Sequence, residues 1–365
     1  MEETMSQEVY KELLQVMQKR GGGYAGMDIP EFFEMVEELF TPEQARVNNA
    51  LPRKPVTAEQ AAETMDGEKA EIEKTLESMA DNGLCRAYTR DGTVYYQASP
   101  FMPGILEYQF MPGGTTERDK KIARLIESYE KAFEVVRPPA GQKMTFAGMR
   151  VITVDRTIDA GSTVHTYDQV QTFIDESDTI AVTECFCRHK AKLLDEDIHG
   201  MPNGVCMSFG SGAESNIERL NGRKLTKEEA RKVIDQAEEA GLVHMSRNLT
   251  ENIGFMCNCD RWHCGAITSM LAQPKPGLFF NSGFEPSFDP DVCTACETCL
   301  DRCPAAALVM GDEDVPVVDL DRCFGCAACA TGCPSETITM VSKPGFPEPP
   351  ANTDALREAF LASRK

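Results

Sequence analysis

Residues 293–304 read Cys-Thr-Ala-Cys-Glu-Thr-Cys-Leu-Asp-Arg-Cys-Pro, and residues 323–334 read Cys-Phe-Gly-Cys-Ala-Ala-Cys-Ala-Thr-Gly-Cys-Pro. Each stretch is C-x2-C-x2-C-x3-C-P, and the second repeats the first thirty positions further on. Two residues between successive cysteines let one tight loop present three thiols together. The fourth cysteine lies beyond that loop, and the proline after it (Pro304, Pro334) turns the chain away without adding an N–H donor. The repeat extends outward from the cysteines. Residues 305–310 match residues 335–340 as a short helical turn running into a strand, and Asp291 and Asp321 precede the two loops.

Segment 290–341 resembles the bacterial dicluster ferredoxins, with every ligand position filled. The resemblance implies two [4Fe–4S] clusters and the transfer of single electrons. It also implies interlocked ligand sets, because in this run the fourth cysteine serves the other cluster. The sets are then Cys293, Cys296 and Cys299 with Cys333, and Cys323, Cys326 and Cys329 with Cys303. Disulfides and zinc are the competing uses of so many thiols. The opening residues carry neither the basic nor the apolar region of a secretory signal, which argues against an oxidised framework. Zinc ribbons place cysteines in separated pairs rather than in triples.

A chain of 365 residues is long enough for two or three domains. The reading is an α+β multidomain protein. Residues 1–54 form N-terminal helices and 55–110 a winged-helix-like domain. Residues 111–282 form a central α/β cysteine-rich module, and 283–341 the ferredoxin domain with its two clusters. Residues 342–365 are a Pro-rich linker and a C-terminal helix. No apolar run approaches the length of a membrane span. Reduced thiols and iron–sulfur clusters fit the cytoplasm, most simply that of an anaerobe. The formal charge of −21 repels nucleic acid and anionic membranes. It favours a redox partner protein with a basic docking patch.

Residues 5–20 and 31–40 have helical periodicity, with Phe32, Phe33, Val36, Leu39 and Phe40 on one face of the second. Residues 21–26 fit G-x-G-x-x-G but follow a helix, so a flexible connection is expected rather than a nucleotide site. In 55–98, Thr57 and Gln60 form a capping box for one helix. A second helix spans 68–82, and a hairpin turns at Asp91-Gly92. That arrangement resembles a winged helix. Its second helix carries Glu68, Glu71, Glu73, Glu77 and Asp81 against Lys69 and Lys74, the wrong balance for phosphate contacts. A protein-interaction or structural role follows. Cys85, alone here, reads as a buried apolar residue. A long helix over 116–136 stops at Pro138-Pro139, and 140–143 link onward. Strands are expected at 151–154 and 180–182, with helices at 167–175 and 226–240, the latter closed by Gly241. This order suits an α/β unit.

Cys185-Phe186-Cys187-Arg188-His189, Cys206 and Cys257-Asn258-Cys259-Asp260-Arg261-Trp262-His263-Cys264 make a second constellation. A C-x-C pair sets both thiols on one side of an extended chain. Three uses stay open. One is a third iron–sulfur cluster, another is zinc held with His189 or His263, and the last is a set of reduced core or redox thiols. The ligand set favoured by spacing is Cys185, Cys187 and Cys206 with Cys257 or Cys259, which leaves Cys264 among the surplus. Arg188 is a charge partner or a solvated arginine, and Trp262 a shield or a core residue. His244 faces Asn248 as a proton donor or as plain structure. Residues 209–212 form a turn.

The order winged helix, C-x-C module, dicluster ferredoxin resembles a group of ferredoxin-domain proteins of anaerobic prokaryotes over roughly residues 30–341. An electron-transfer protein follows. The alternatives are an oxidoreductase working at the central thiols and a redox-sensing winged-helix regulator.

Overall fold

The computed structural model describes residues 2–136, 146–251 and 253–363. The helix stop at Pro138-Pro139 and the link over 140–143 lie outside the described residues. In chain order the elements begin with α1 (Glu2–Arg20), α2 (Pro30–Leu39), α3 (Pro42–Ala50), α4 (Ala58–Met65) and α5 (Lys69–Asp81). Strands β1 (Arg86–Arg90) and β2 (Thr93–Gln97), then α6 (Ile105–Tyr108) and α7 (Glu117–Val136), follow. Next come β3 (Met149–Ile152), α8 (Val170–Glu176), β4 (Ile180–Thr183), α9 (Phe186–Leu193), β5 (Cys206–Phe209), α10 (Ser211–Arg219), β6 (Arg223–Leu225), α11 (Lys227–Glu239), β7 (Val243–Arg247) and β8 (Phe255–Cys259). The chain ends with α12 (Gly265–Leu271), β9 (Phe284–Phe288), α13 (Thr298–Arg302), β10 (Leu308–Met310), β11 (Pro316–Val318), α14 (Ala328–Thr331), β12 (Ile338–Ser342) and α15 (Thr353–Ala362).

The chain divides into two compact units. The first comprises Met1–Pro139, Thr183–Asp197 and Ala213–Arg223; the second comprises Ala140–Val182, Ile198–Gly212 and Lys224–Lys365. One apolar core runs through the first unit, from Leu13 and Phe32 through Leu76 and Tyr96 to Ile126, Tyr129 and Leu193. Thr41 opens α3 with a full capping box to Gln44, as Thr57 does for α4 with Gln60. β1 and β2 pair antiparallel up to Arg90↔Thr93, and Asp91 and Gly92 between them both have positive φ, as a two-residue hairpin requires. The glycine run is packed rather than flexible. Gly23 N donates to Met102 O at 2.8 Å, and a Cβ on Gly22 would lie 2.4 Å from that oxygen. Glycine is needed there because two backbones meet.

Segment 183–197 is held in the first unit by long-range polar contacts. Lys190 Nζ lies 2.7 Å from Glu127 and also pairs with Glu130, and His189 Nε2 meets Gly114 O at 2.7 Å. Arg219, at the end of α10, donates to Glu77 and Asp81 on α5, each at 2.8 Å. α10 itself replaces part of the turn expected at 209–212: Gly210 makes the turn with φ 55° and Ser211 starts the helix.

A six-stranded sheet has the order β3-β7-β8-β5-β4-β6. The pairs β3·β7, β7·β8 and β5·β8 are antiparallel. The alternation of strand and helix suggests crossovers. Here β7 and β8 adjoin as a hairpin, with no helix between them.

The C-terminal repeat folds as two copies of one pattern. Leu308↔Val318 and Met310↔Pro316 in β10·β11 recur as Ile338↔Phe288 and Met340↔Pro286 in β12·β9. Positive φ recurs as well, at Ala295 and Gly325, Glu297 and Ala327, Ala306 and Glu336. These turns leave no helix in 305–307 or 335–337, so only the strand half of the expected helical-turn-to-strand match is regular.

Candidate functional site

The repeat brings eight thiols to two cavities. One is lined by Cys303, Cys323, Cys326 and Cys329. The other is lined by Cys293, Cys296, Cys299 and Cys333. Each cavity thus takes three cysteines from one loop and the fourth from the other copy. Their walls also repeat, with Pro304, Leu308 and Met340 in the first and Pro334, Ile338 and Met310 in the second. Backbone N–H groups already point at sulfur: Ala307 N to Cys303 Sγ at 3.2 Å and Gly325 N to Cys323 Sγ at 3.4 Å.

The two sets differ in surroundings. Burial pushes the Cys326 thiol up to about 12 and raises Cys323 and Cys329 as well. Cys296 is exposed, and hydrogen bonding to Thr298 holds its thiol below the usual value. Val309 and Val317, cross-strand partners on β10 and β11, are 62% and 56% exposed, and Val292 beside Cys293 is 46% exposed. Beside the buried set, Arg302 donates to Ala328 O at 2.9 Å and to the last carbonyls of α11, Glu238 O at 2.8 Å and Glu239 O at 3.1 Å.

The central thiols are divided between the two units. Cys185 and Cys187 belong to the first unit. Cys185 caps α9, accepting His189 N at 2.8 Å on its carbonyl, and is buried. Cys187 is the second residue of that helix. This pair is therefore not on an extended chain as expected, because the run from Phe186 to Leu193 contains no helix breaker. Arg188 is fully buried rather than solvated.

The other four lie in the second unit. Cys257 and Cys259 are on β8, two apart and so on one face. Asn258 between them faces the opposite way. Its Nδ2 donates to Val205 O at 2.6 Å and its Oδ1 meets His244 Nδ1 at 2.6 Å. His244 therefore pairs with Asn258, not with the expected Asn248, because the β7·β8 register sets His244 across from Asn258. On the other flank of β8, β5 pairs Met207↔Met256, and continuing that register by one residue sets Cys206 across from Cys257. After β8 the buried Asp260 accepts Trp262 N at 2.8 Å and His263 N at 2.7 Å on one oxygen. This turn returns the chain so that Cys264 reaches Cys259. Hydrogen bonds with the thiols of Cys257 and Cys264, then burial, push the Cys259 thiol well up. Cysteine spacing leaves Cys264 as surplus, since the Asp260 turn gives no signal in it. Trp262 is 48% exposed, with its ring 4.6 Å from that of His199, so it is not a core residue.

Among the described residues, no group of three or more His, Cys, Asp or Glu is set to hold a single metal ion. Among them, too, no helix is long and apolar enough to cross a membrane. A family model described as 4Fe-4S dicluster domain matches residues 292–337. No curated protein matches the chain.

Proposed function

We propose that this chain is an iron–sulfur electron carrier with two [4Fe–4S] clusters in a ferredoxin domain over 283–341. Cys293, Cys296, Cys299 and Cys333 hold one, and Cys323, Cys326, Cys329 and Cys303 hold the other. The observation that carries this reading is the sorting of eight thiols into two cavities of four, each completed by the other copy. Bound there, the clusters supply one-electron transfer at potentials set by charge, hydrogen bonds to sulfur and exposure.

The chain's own residues give the pair a direction. The set containing Cys296 reaches the surface at Cys296 and forms the outer port, and Val292, Val309 and Val317 are exposed on the segments that carry it. Asp291, Glu297, Asp312, Glu313 and Asp314 flank these residues in the sequence, with Glu297 lining the cavity and Asp314 O accepting from Cys293 Sγ at 3.8 Å. A partner with an apolar centre and a basic rim complements it. The set containing Cys326 is largely buried, and Arg261 of the central module, between Cys259 and Cys264, donates to Cys303 O of that set; a third metal site at central thiols would adjoin it. In the first unit, residues 55–98 act as a winged-helix-like protein-binding or structural module, with Glu77 and Asp81 of α5 already engaged by Arg219. A reducing cytoplasm suits these thiols.

A second reading, an oxidoreductase with its chemistry at the central thiols, draws on the buried His244 and Glu238 (Nε2 to Oε1 3.5 Å) behind β8. Iron and acid-labile sulfide per chain, measured on protein purified without oxygen, test the carrier reading. At least about eight of each is expected, and a lower content after full reconstitution overturns it.

A further inference from the structure

Four of the central thiols, Cys206, Cys257, Cys259 and Cys264, lie on neighbouring segments of the second unit. The β5·β8 register, continued by one residue, sets Cys206 across from Cys257; Cys259 shares the face of Cys257, and Cys264 closes on Cys259 through the Asp260 turn. The opposite face of β8 is fixed by Asn258, bound to His244 and to Val205 O. The thiol-bearing face is thereby held in one orientation before any metal arrives.

Two observations tie this face to the ferredoxin thiols. Arg261, inside the turn between Cys259 and Cys264, donates from Nη1 to Cys303 O at 3.2 Å. Cys303 lines the buried cavity. Cys259 and Cys264 also lie in the same apolar core as Cys299, Cys303, Cys326 and Cys329. One hydrogen bond and a shared apolar core thus connect the segment carrying Cys259 and Cys264 to the inner set.

We infer that Cys206, Cys257, Cys259 and Cys264 bind a third [4Fe–4S] cluster, which exchanges single electrons with the cluster completed by Cys303. The inference rests on the two-cluster reading above. All-thiolate donor sets suit iron–sulfur clusters and zinc alike. Zinc carries no electron, whereas the Arg261–Cys303 link and the shared core place this set next to an electron carrier. Each transfer oxidises one cluster and reduces the other by one electron, and no bond is made or broken.

The test uses the full chain, reconstituted without oxygen and assayed for iron, sulfide and zinc. The native chain should hold about twelve irons and little zinc. Cys259→Ser and Cys206→Ser should each lose about four irons. Both should keep the spin-coupled EPR spectrum of the dithionite-reduced ferredoxin pair, which reports that the domain is folded. If the buried Cys259 variant misfolds, the half-buried Cys206 variant decides. Cys185→Ser and Cys187→Ser should keep all the iron. About eight irons in the native chain, with or without one zinc, overturns the third cluster and leaves the ferredoxin reading intact. Loss of iron from the Cys185 or Cys187 variant overturns the ligand set. Fewer than about eight irons in the native chain overturns both readings.

Discussion

A single thiol should reveal the interlocking. Cys303 follows the loop of Cys293, Cys296 and Cys299 in sequence, yet in space it lines the cavity of Cys323, Cys326 and Cys329. Cys303→Ser should therefore cost the iron of the later loop while the earlier loop keeps its cluster, and Cys333→Ser should do the reverse. EPR of the reduced variants would show one uncoupled spin from the ferredoxin domain in place of a coupled pair. A variant that loses the cluster of its own loop contradicts the pairing. A second residue-scale expectation concerns Glu77. Burial works against its charge, but hydrogen bonds from Arg219 and Tyr96 hold its carboxyl below the usual range. The folded value lies below the unfolded one, so the stabilisation is present above the unfolded value and is lost as pH falls through the folded one. The thermal midpoint of the native chain should drop in acid, and Glu77→Gln should flatten that part of the profile. Arg219→Ala should cost about 1–3 kcal/mol at neutral pH.

Among the elements, α11 and α14 are joined through Arg302, with Thr331 Oγ1 also reaching Glu238 O. Arg302 satisfies the last carbonyls of α11, as basic residues do at helix C-termini, and also binds Ala328 O and Thr331 Oγ1. A Cβ on Gly332 would sit 2.0 Å from Arg302 Cδ. Gly332→Ala should displace the arginine and destabilise the protein by about 1–3 kcal/mol in urea unfolding. Adding it to Arg302→Ala should cost little more, because both remove the same contacts. Such ties show what is legible in the sequence. The cysteine loops are, because their spacing is local and occurs twice; so are helices with caps, such as α4 and α11. α3 escapes that reading although Thr41 and Gln44 repeat the capping signal of Thr57 and Gln60. The central thiols depend on strand register and on the Asp260 turn, neither of which cysteine spacing encodes.

For the whole molecule, charge is the property that reaches furthest. A formal charge of −21 attracts cations over distances that salt shortens, since the Debye length falls from about 10 Å at 0.1 M to about 3 Å at 1 M. Which segments share a unit is another matter of long range: the ion pairs of Lys190 and Arg219 join positions far apart in sequence, so the interleaving of the two units is invisible to local pattern. The outer port puts the charge argument to use. Reduction of a basic cytochrome by the dithionite-reduced chain should slow by about tenfold or more between low and high salt. Val309→Ser with Val317→Ser, which removes exposed apolar surface and keeps the charge, should slow it at every salt concentration and leave the iron content unchanged, because both valines project from the β10·β11 hairpin away from the cavity. An anionic acceptor should show the opposite salt trend. If the valine substitutions left the rate unchanged, electrons would have to leave elsewhere, and the exposed Cys296 face would lose its role as the port.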